Sequence, residues 1–129
     1  MEFNAMEFST LIGRTLTSVE GAIDDDEVIF TADDGSRFRL YHYSDCCEVV
    51  AVNDIIGDLS DLIGSPITTA EESTSDTDPE GYKPRSKWRD DSFTWTFYRI
   101  ATAKGHVDIR WLGESNGYYS ESVSFEEVS

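Results

Sequence analysis

Residues Phe93–Ser124, FTWTFYRIATAKGHVDIRWLGESNGYYSESVS, decide how the rest of the chain is read. Thr94, Thr96, Tyr98 and Ile100 alternate with Trp95, Phe97 and Arg99, and Lys104-Gly105 supplies a turn. His106, Asp108 and Arg110 then alternate with Val107, Ile109 and Trp111, the period-two pattern of a half-buried strand. The stretch therefore predicts two strands followed by an exposed loop, Gly113-Glu114-Ser115-Asn116-Gly117-Tyr118-Tyr119-Ser120. Two glycines, an amide and two tyrosines offer close backbone approach, hydrogen bonding and stacking surface. That mixture suits a flat polar ligand such as a nucleotide; it also suits an ordinary tyrosine-rich hairpin, which residue types alone favour.

Upstream, Phe8–Ile12 reads as one helical turn, with Ser9 as its cap and Gly13 as its stop. Thr15–Ala22, Glu27–Ala32 and Ser36–Tyr43 read as strands, the last two joined by the hairpin signal Asp33-Asp34-Gly35. Val49–Asn53 completes a small antiparallel set. FSTLIGRTLTSVE at Phe8–Glu20 then has a counterpart in LSDLIGSPITTAE at Leu59–Glu71, with Ser, Leu-Ile-Gly, Thr and Glu at identical offsets. One such unit would leave much of its apolar face in water, so the halves are expected to join in one sheet or a paired sheet. The fold class read from these patterns is α+β, mostly antiparallel β-sheet with one or two short helices and internally duplicated halves. A single domain spans 1–129, with an N-terminal arm at 1–7, a first half at 8–54 and a second at 59–125.

The second half carries a polar loop insertion at 72–91, ESTSDTDPEGYKPRSKWRDD, with no apolar periodicity. Lys83, Arg85, Lys87 and Arg89, four of the ten basic residues, cluster there around Tyr82 and Trp88. Arg85 and Arg89 are candidates for a phosphate clamp. The other reading is a loop that neutralises its own acidic flank.

The 129 residues carry 26 acidic and 10 basic side chains, a formal charge of −16. That balance argues against an extended surface for duplex nucleic acid, where cations must neutralise phosphates. It fits solubility, or mimicry of a nucleic acid. No apolar run is long enough to span a bilayer and no signal sequence opens the chain, so a cytoplasmic protein without a membrane partner is expected. The two cysteines, Cys46 and Cys47, are adjacent; they read as small side chains on opposite faces of a strand, since a disulfide between neighbours closes a strained ring. No His/Cys spacing marks a metal site, and no phosphate-loop or nucleophile-elbow motif occurs. Asp108 with Arg110 reads as a solvated ion pair. Neither catalytic residues nor a cofactor are expected, and binding is favoured over catalysis.

Asp45-Cys46-Cys47-Glu48, Leu62-Ile63-Gly64, Thr94-Trp95-Thr96-Phe97-Tyr98, Arg110-Trp111-Leu112-Gly113 and Ser115-Asn116-Gly117-Tyr118-Tyr119-Ser120 together resemble a phage family. It is the first-described class of Thoeris anti-defence proteins, formerly a domain of unknown function, and the resemblance covers about Leu11–Val123. It implies a non-enzymatic sponge that binds cyclic ADP-ribose isomers without cleaving them, in the cytoplasm of an infected bacterial host. Some members also take cyclic di- or trinucleotides, and pockets at subunit interfaces imply a homo-oligomer, a dimer or a hexamer. On this resemblance Asn116 would read a base edge or ribose hydroxyl, and Tyr118 in the same block would offer a stacking face. Arg110 would meet a diphosphate with its planar fork. His106 occupies a strand position expected to stack on the base, where imidazole is a smaller platform than an aromatic ring. Arg85 and Arg89 lie outside the resemblance, and Arg14 is a candidate for a second anionic site. Rival classes are an acidic DNA mimic that inhibits a nucleic-acid-binding defence enzyme, and an interaction module with no small ligand.

Overall fold

The computed structural model describes residues 6–43, 47–79 and 92–128. Among these residues eight strands run in order: β1 (Leu16–Glu20), β2 (Glu27–Ala32), β3 (Arg37–Tyr41), β4 (Glu48–Ile56), β5 (Thr69–Ser75), β6 (Ser92–Thr102), β7 (Gly105–Ser115) and β8 (Ser124–Val128). They form two antiparallel four-stranded sheets, ordered β1-β2-β3-β8 and β4-β7-β6-β5. Apolar residues of both sheets meet in one core, where Phe30, Phe38, Leu40 and Phe125 face Val52, Tyr98, Ile109 and Trp111. Phe8 ties the two together, its ring 5.2 Å from that of Phe125 and 4.7 Å from that of Tyr98.

Each half of the chain contributes a short turn, a three-strand meander and a fourth strand that leaves for the other sheet. β4 pairs with β7 along its length, and β8 pairs with β3. The two Leu-Ile-Gly segments meet where the halves cross. Gly13 N–H donates to the Ile67 carbonyl at 2.8 Å, and Gly64 N–H donates to the Leu16 carbonyl at 3.0 Å. Between these bonds Thr15 forms an antiparallel bridge to Pro66.

Several expectations are corrected. The described residues contain no α-helix; Phe8–Leu11 and Leu59–Leu62 are single 3-10 turns. Four residues before a chain reversal cannot repay the cost of α-helix nucleation. Ser9 is not the cap of the first turn: Glu7 holds that position, with no side-chain cap bond. The second turn is capped by Asp58, whose carboxylate accepts from Ser60 N–H. β4 does not complete a first-half set: it pairs along its length with β7 in the second sheet, and Val50 and Val52 are buried in the core the two sheets share. β5 extends through Ser75, inside the segment read as loop, because the eleven-residue β6 offers an edge that pairs every residue from Thr69 to Ser75. Cys47 lies before β4 and is disulfide-bonded, not a free thiol. The sequence has one other cysteine, Cys46, which is outside the described residues. Among the described residues no helix is long and apolar enough to cross a membrane.

Candidate functional site

The alternation read in the sequence assigns faces correctly. β6 sends Tyr98 and Ile100 into the core and turns Trp95, Phe97 and Arg99 to the outer face of the second sheet; β7 buries Val107, Ile109 and Trp111 and turns Asp108 and Arg110 outward. A groove of about 450 Å³ runs over this outer face, lined by Ile56, Glu71, Phe97, Arg99, Asp108 and Arg110 among others. Trp95 lies on the same face of β6 as Phe97. Its ring stacks on Phe97 with centroids 6.5 Å apart, and its Nε1–H donates to Asp78 at 3.0 Å. The Arg110 guanidinium lies over the same ring at 5.2 Å, leaving Trp95 fully buried although it points away from the core.

Charge in the groove is mixed and ordered. Arg110 donates through Nε and Nη2 to the Asn53 side-chain oxygen at 2.9 and 2.7 Å, with Asp54 at 3.8 Å. Arg99 grips Asp108 through Nε at 2.9 Å and Nη2 at 3.2 Å. That hydrogen bond holds the Asp108 carboxyl below the usual carboxylate range, against an opposing effect of burial, and holds Arg99 above its own ordinary value. The pairing of Asp108 with Arg110 expected from sequence does not form. Residues two apart on a strand are about 7 Å apart, whereas directly opposed partners sit about 5 Å apart, and Arg99 is directly opposite Asp108. Tyr98, on the inner face, donates to Glu72 at 2.6 Å; burial, reinforced by that bond, pushes its phenol far up.

One end of this sheet is built around a buried acid. Glu121, 8% exposed, accepts from the Thr94 hydroxyl at 2.8 Å and the Ser115 hydroxyl at 2.6 Å. Ser115 Oγ in turn accepts Gly117 N–H at 3.0 Å, and the Asn116 side-chain oxygen accepts Tyr118 N–H at 3.1 Å. His42 Nδ1 reaches the Ser122 carbonyl at 2.7 Å, and its other nitrogen lies 3.8 Å from Glu48. These bonds tie the loop after β7 to both sheets while Tyr118 stands 89% exposed. Pairing of Ser92 with Ser115, and of Ser75 with Trp95, brings both flanks of the polar insertion to this same end.

Among the described residues, the sequence-derived candidates do not all converge on one place in the chain. Arg110 is in the groove, and Asn116 and Tyr118 are in the end loop. His106 is exposed at the other end of β7; ten residues of strand put it roughly 33 Å from Asn116. Arg14 lies beside the first sheet, its guanidinium 4.8 Å from the Phe38 ring centroid and 3.5 Å from Asp34. Arg85 and Arg89 lie outside the described residues. Sequence reasoning missed Trp95, Phe97, Arg99, Asn53 and Glu121 as site residues. The first three share a face by simple alternation. Asn53 and Glu121 depend on contacts 57 and 27 residues away in sequence, which no local pattern announces.

The architecture defines a strand-exchanged domain of two antiparallel sheets with a polar groove on one outer face. Residues 9–125 match the model of a domain of unknown function, DUF7448, and the chain belongs to that family. Neither the curated proteins nor the solved structures contain a match to this chain.

Proposed function

We propose that the protein is a phage-encoded anti-defence sponge of the Thoeris-inhibiting kind, which sequesters cyclic ADP-ribose-type nucleotides in the host cytoplasm without cleaving them. The observation that carries this reading is the Arg110 guanidinium, fixed by Asn53 and set directly opposite the half-buried Phe97 in the groove. A planar cation next to aromatic surface is what a nucleotide diphosphate and base require. Three of the five sequence blocks that resemble the sponge family lie on consecutive elements of this sheet: Thr94–Tyr98 on β6, Arg110–Gly113 on β7, and Ser115–Ser120 at the end of β7 and in the loop that follows. Binding, not catalysis, is the role assigned to these residues.

In a homo-oligomer, opposite ends of β7 from two copies would bring His106 and Asn116 to one pocket. The exchanged fourth strands and the matched Gly13 and Gly64 bonds support internal duplication of one ancestral half. The competing reading, an acidic mimic of nucleic acid, draws on the −16 charge and on the turns Asp24–Asp26 and Asp33-Asp34.

A thermal-shift panel of cyclic ADP-ribose isomers and cyclic di- and trinucleotides separates the two. A ligand at a hundred times its Kd adds about 2.7 kcal/mol and raises Tm by several degrees. The sponge reading expects such a shift from at least one cyclic compound, recovered chemically unchanged on heating. No shift across the panel, together with salt-sensitive binding to a basic protein, would favour the mimic.

A further inference from the structure

The loop that follows β7 carries the parts of a self-modifying site, and we propose that Asn116 deamidates in the folded protein, assisted by Ser115 and Glu121. An asparagine followed by glycine is the pair in which the next backbone nitrogen most readily closes a five-membered ring on the side-chain amide, because glycine has no side chain to obstruct it. In most folded loops nothing helps that nitrogen lose its proton. Here Gly117 N–H donates to Ser115 Oγ at 3.0 Å, and Ser115 Oγ–H donates to the Glu121 carboxylate at 2.6 Å. Ser115 is fully buried and Glu121 nearly so, which gives the relay a fixed geometry. On the electrophile, the Asn116 side-chain oxygen already accepts Tyr118 N–H at 3.1 Å, where negative charge develops as the amide carbon is attacked.

The step balances within the chain and solvent. Gly117 N passes its proton to Ser115 Oγ as Ser115 passes its own to Glu121, and the nitrogen bonds to Asn116 Cγ. The Tyr118 amide stabilises the resulting oxyanion. The bond from Cγ to the side-chain nitrogen breaks, the proton returns to that nitrogen, and ammonia leaves. Water then opens the cyclic imide at one of its two carbonyls, giving aspartate or isoaspartate at position 116. Ser115 touches the reacting nitrogen, whereas Glu121 acts through Ser115 as a positioning residue. The chemistry does not depend on what the protein binds. Its consequence does rest on the sponge reading: the product replaces an amide with a carboxylate where an anionic ligand is to be met, so capture would lapse as the protein ages.

The test incubates the purified full-length protein, free of any ligand, at neutral pH and maps Asn116 by peptide mass and isoaspartate content, beside a sample held unfolded in guanidinium. The folded chain should convert Asn116 faster, by about a hundredfold, the low end for a positioned base. Its rate should stay level from mildly acid to mildly alkaline pH, whereas the unfolded rate climbs with hydroxide. S115A and E121Q should bring the folded rate down and restore the hydroxide dependence. A folded rate equal to or below the unfolded rate overturns the proposal, with no variant needed. So does conversion at Asn53 as fast as at Asn116. Measuring ligand capture on aged and fresh protein tests the consequence separately, so failure of the sponge reading leaves the chemical result interpretable.

Discussion

Truncating Glu121 asks how strongly the end loop is fastened to the second sheet. Its carboxylate accepts hydroxyl donors from Thr94 on β6 and Ser115 at the end of β7, both at 2.8 Å or less. Hydrogen bonds to a charged group are worth about 1.5–3 kcal/mol each, so two of them set an upper bound of about 6 kcal/mol. Part of that is returned, because E121A also relieves the desolvation of a nearly buried charge and lets the two hydroxyls find water. The net cost expected for E121A is about 3–4 kcal/mol, in the range of broken buried polar pairs. E121Q keeps the shape and one acceptor and should cost about 1–2 kcal/mol, leaving the chain folded at room temperature. Urea unfolding with an unchanged slope measures both values. A double-mutant cycle with T94V should return a coupling of at least about 0.5 kcal/mol, the mark of residues in contact. An E121A midpoint within about 0.5 kcal/mol of the parent, the range of ordinary surface changes, would refute the idea that this acid anchors the loop.

Three further outcomes follow from the groove and its rim. R110A should weaken nucleotide binding by roughly tenfold to a hundredfold, the loss of one charge-assisted contact, as read by calorimetry. R110K should recover only part, because an ammonium cannot reproduce the fork held by Asn53 or the stack on Trp95. Asp108 is depressed in the native chain, so its contribution is present above the ordinary carboxylate range and is lost as pH falls through the lower native value. D108N should therefore lower stability near neutrality by the same amount by which it flattens the acid limb of a stability–pH curve, a small amount because Arg99 is solvent-screened. Gly57, at φ +116°, faces the His106 carbonyl, which a Cβ would approach to 2.7 Å. G57A should cost about 1–3 kcal/mol in denaturant unfolding, the scale of backbone strain plus overpacking.

What the sequence revealed divides by how local the signal is. The alternation from Thr94 to Trp111 identifies β6 and β7 and assigns their faces, because side-chain direction in a strand follows from position alone. β2 was bounded at Glu27 and Ala32 as the structure has it, since Asp24–Asp26 and Asp33-Asp34-Gly35 punctuate both ends. The partner of β4 was not legible: Val50 and Val52 announce a buried strand, but pairing with β7 is a contact some sixty residues distant. β5 was half lost because Glu71–Thr74 have no apolar period; an edge strand exposed on both faces needs none. β8 was missed for its shortness, with Phe125 its one buried apolar side chain. The site fared similarly. Arg110 could be singled out by residue type and neighbours, while Asn53, which orients it, could not. The end loop announces itself by its glycines and tyrosines, but it does not begin at Gly113, because Gly113–Ser115 continue β7 and are buried; and the acid that fixes it, Glu121, looks like one of many surface carboxylates.

The most direct test of the sponge reading is native mass spectrometry of the protein mixed with cyclic ADP-ribose isomers, followed by release and identification of whatever is bound. A sponge should emerge as a homo-oligomer carrying an intact cyclic nucleotide, with the R110A protein carrying less. A protein that emerges without nucleotide, or that carries or releases the linear product, would contradict it.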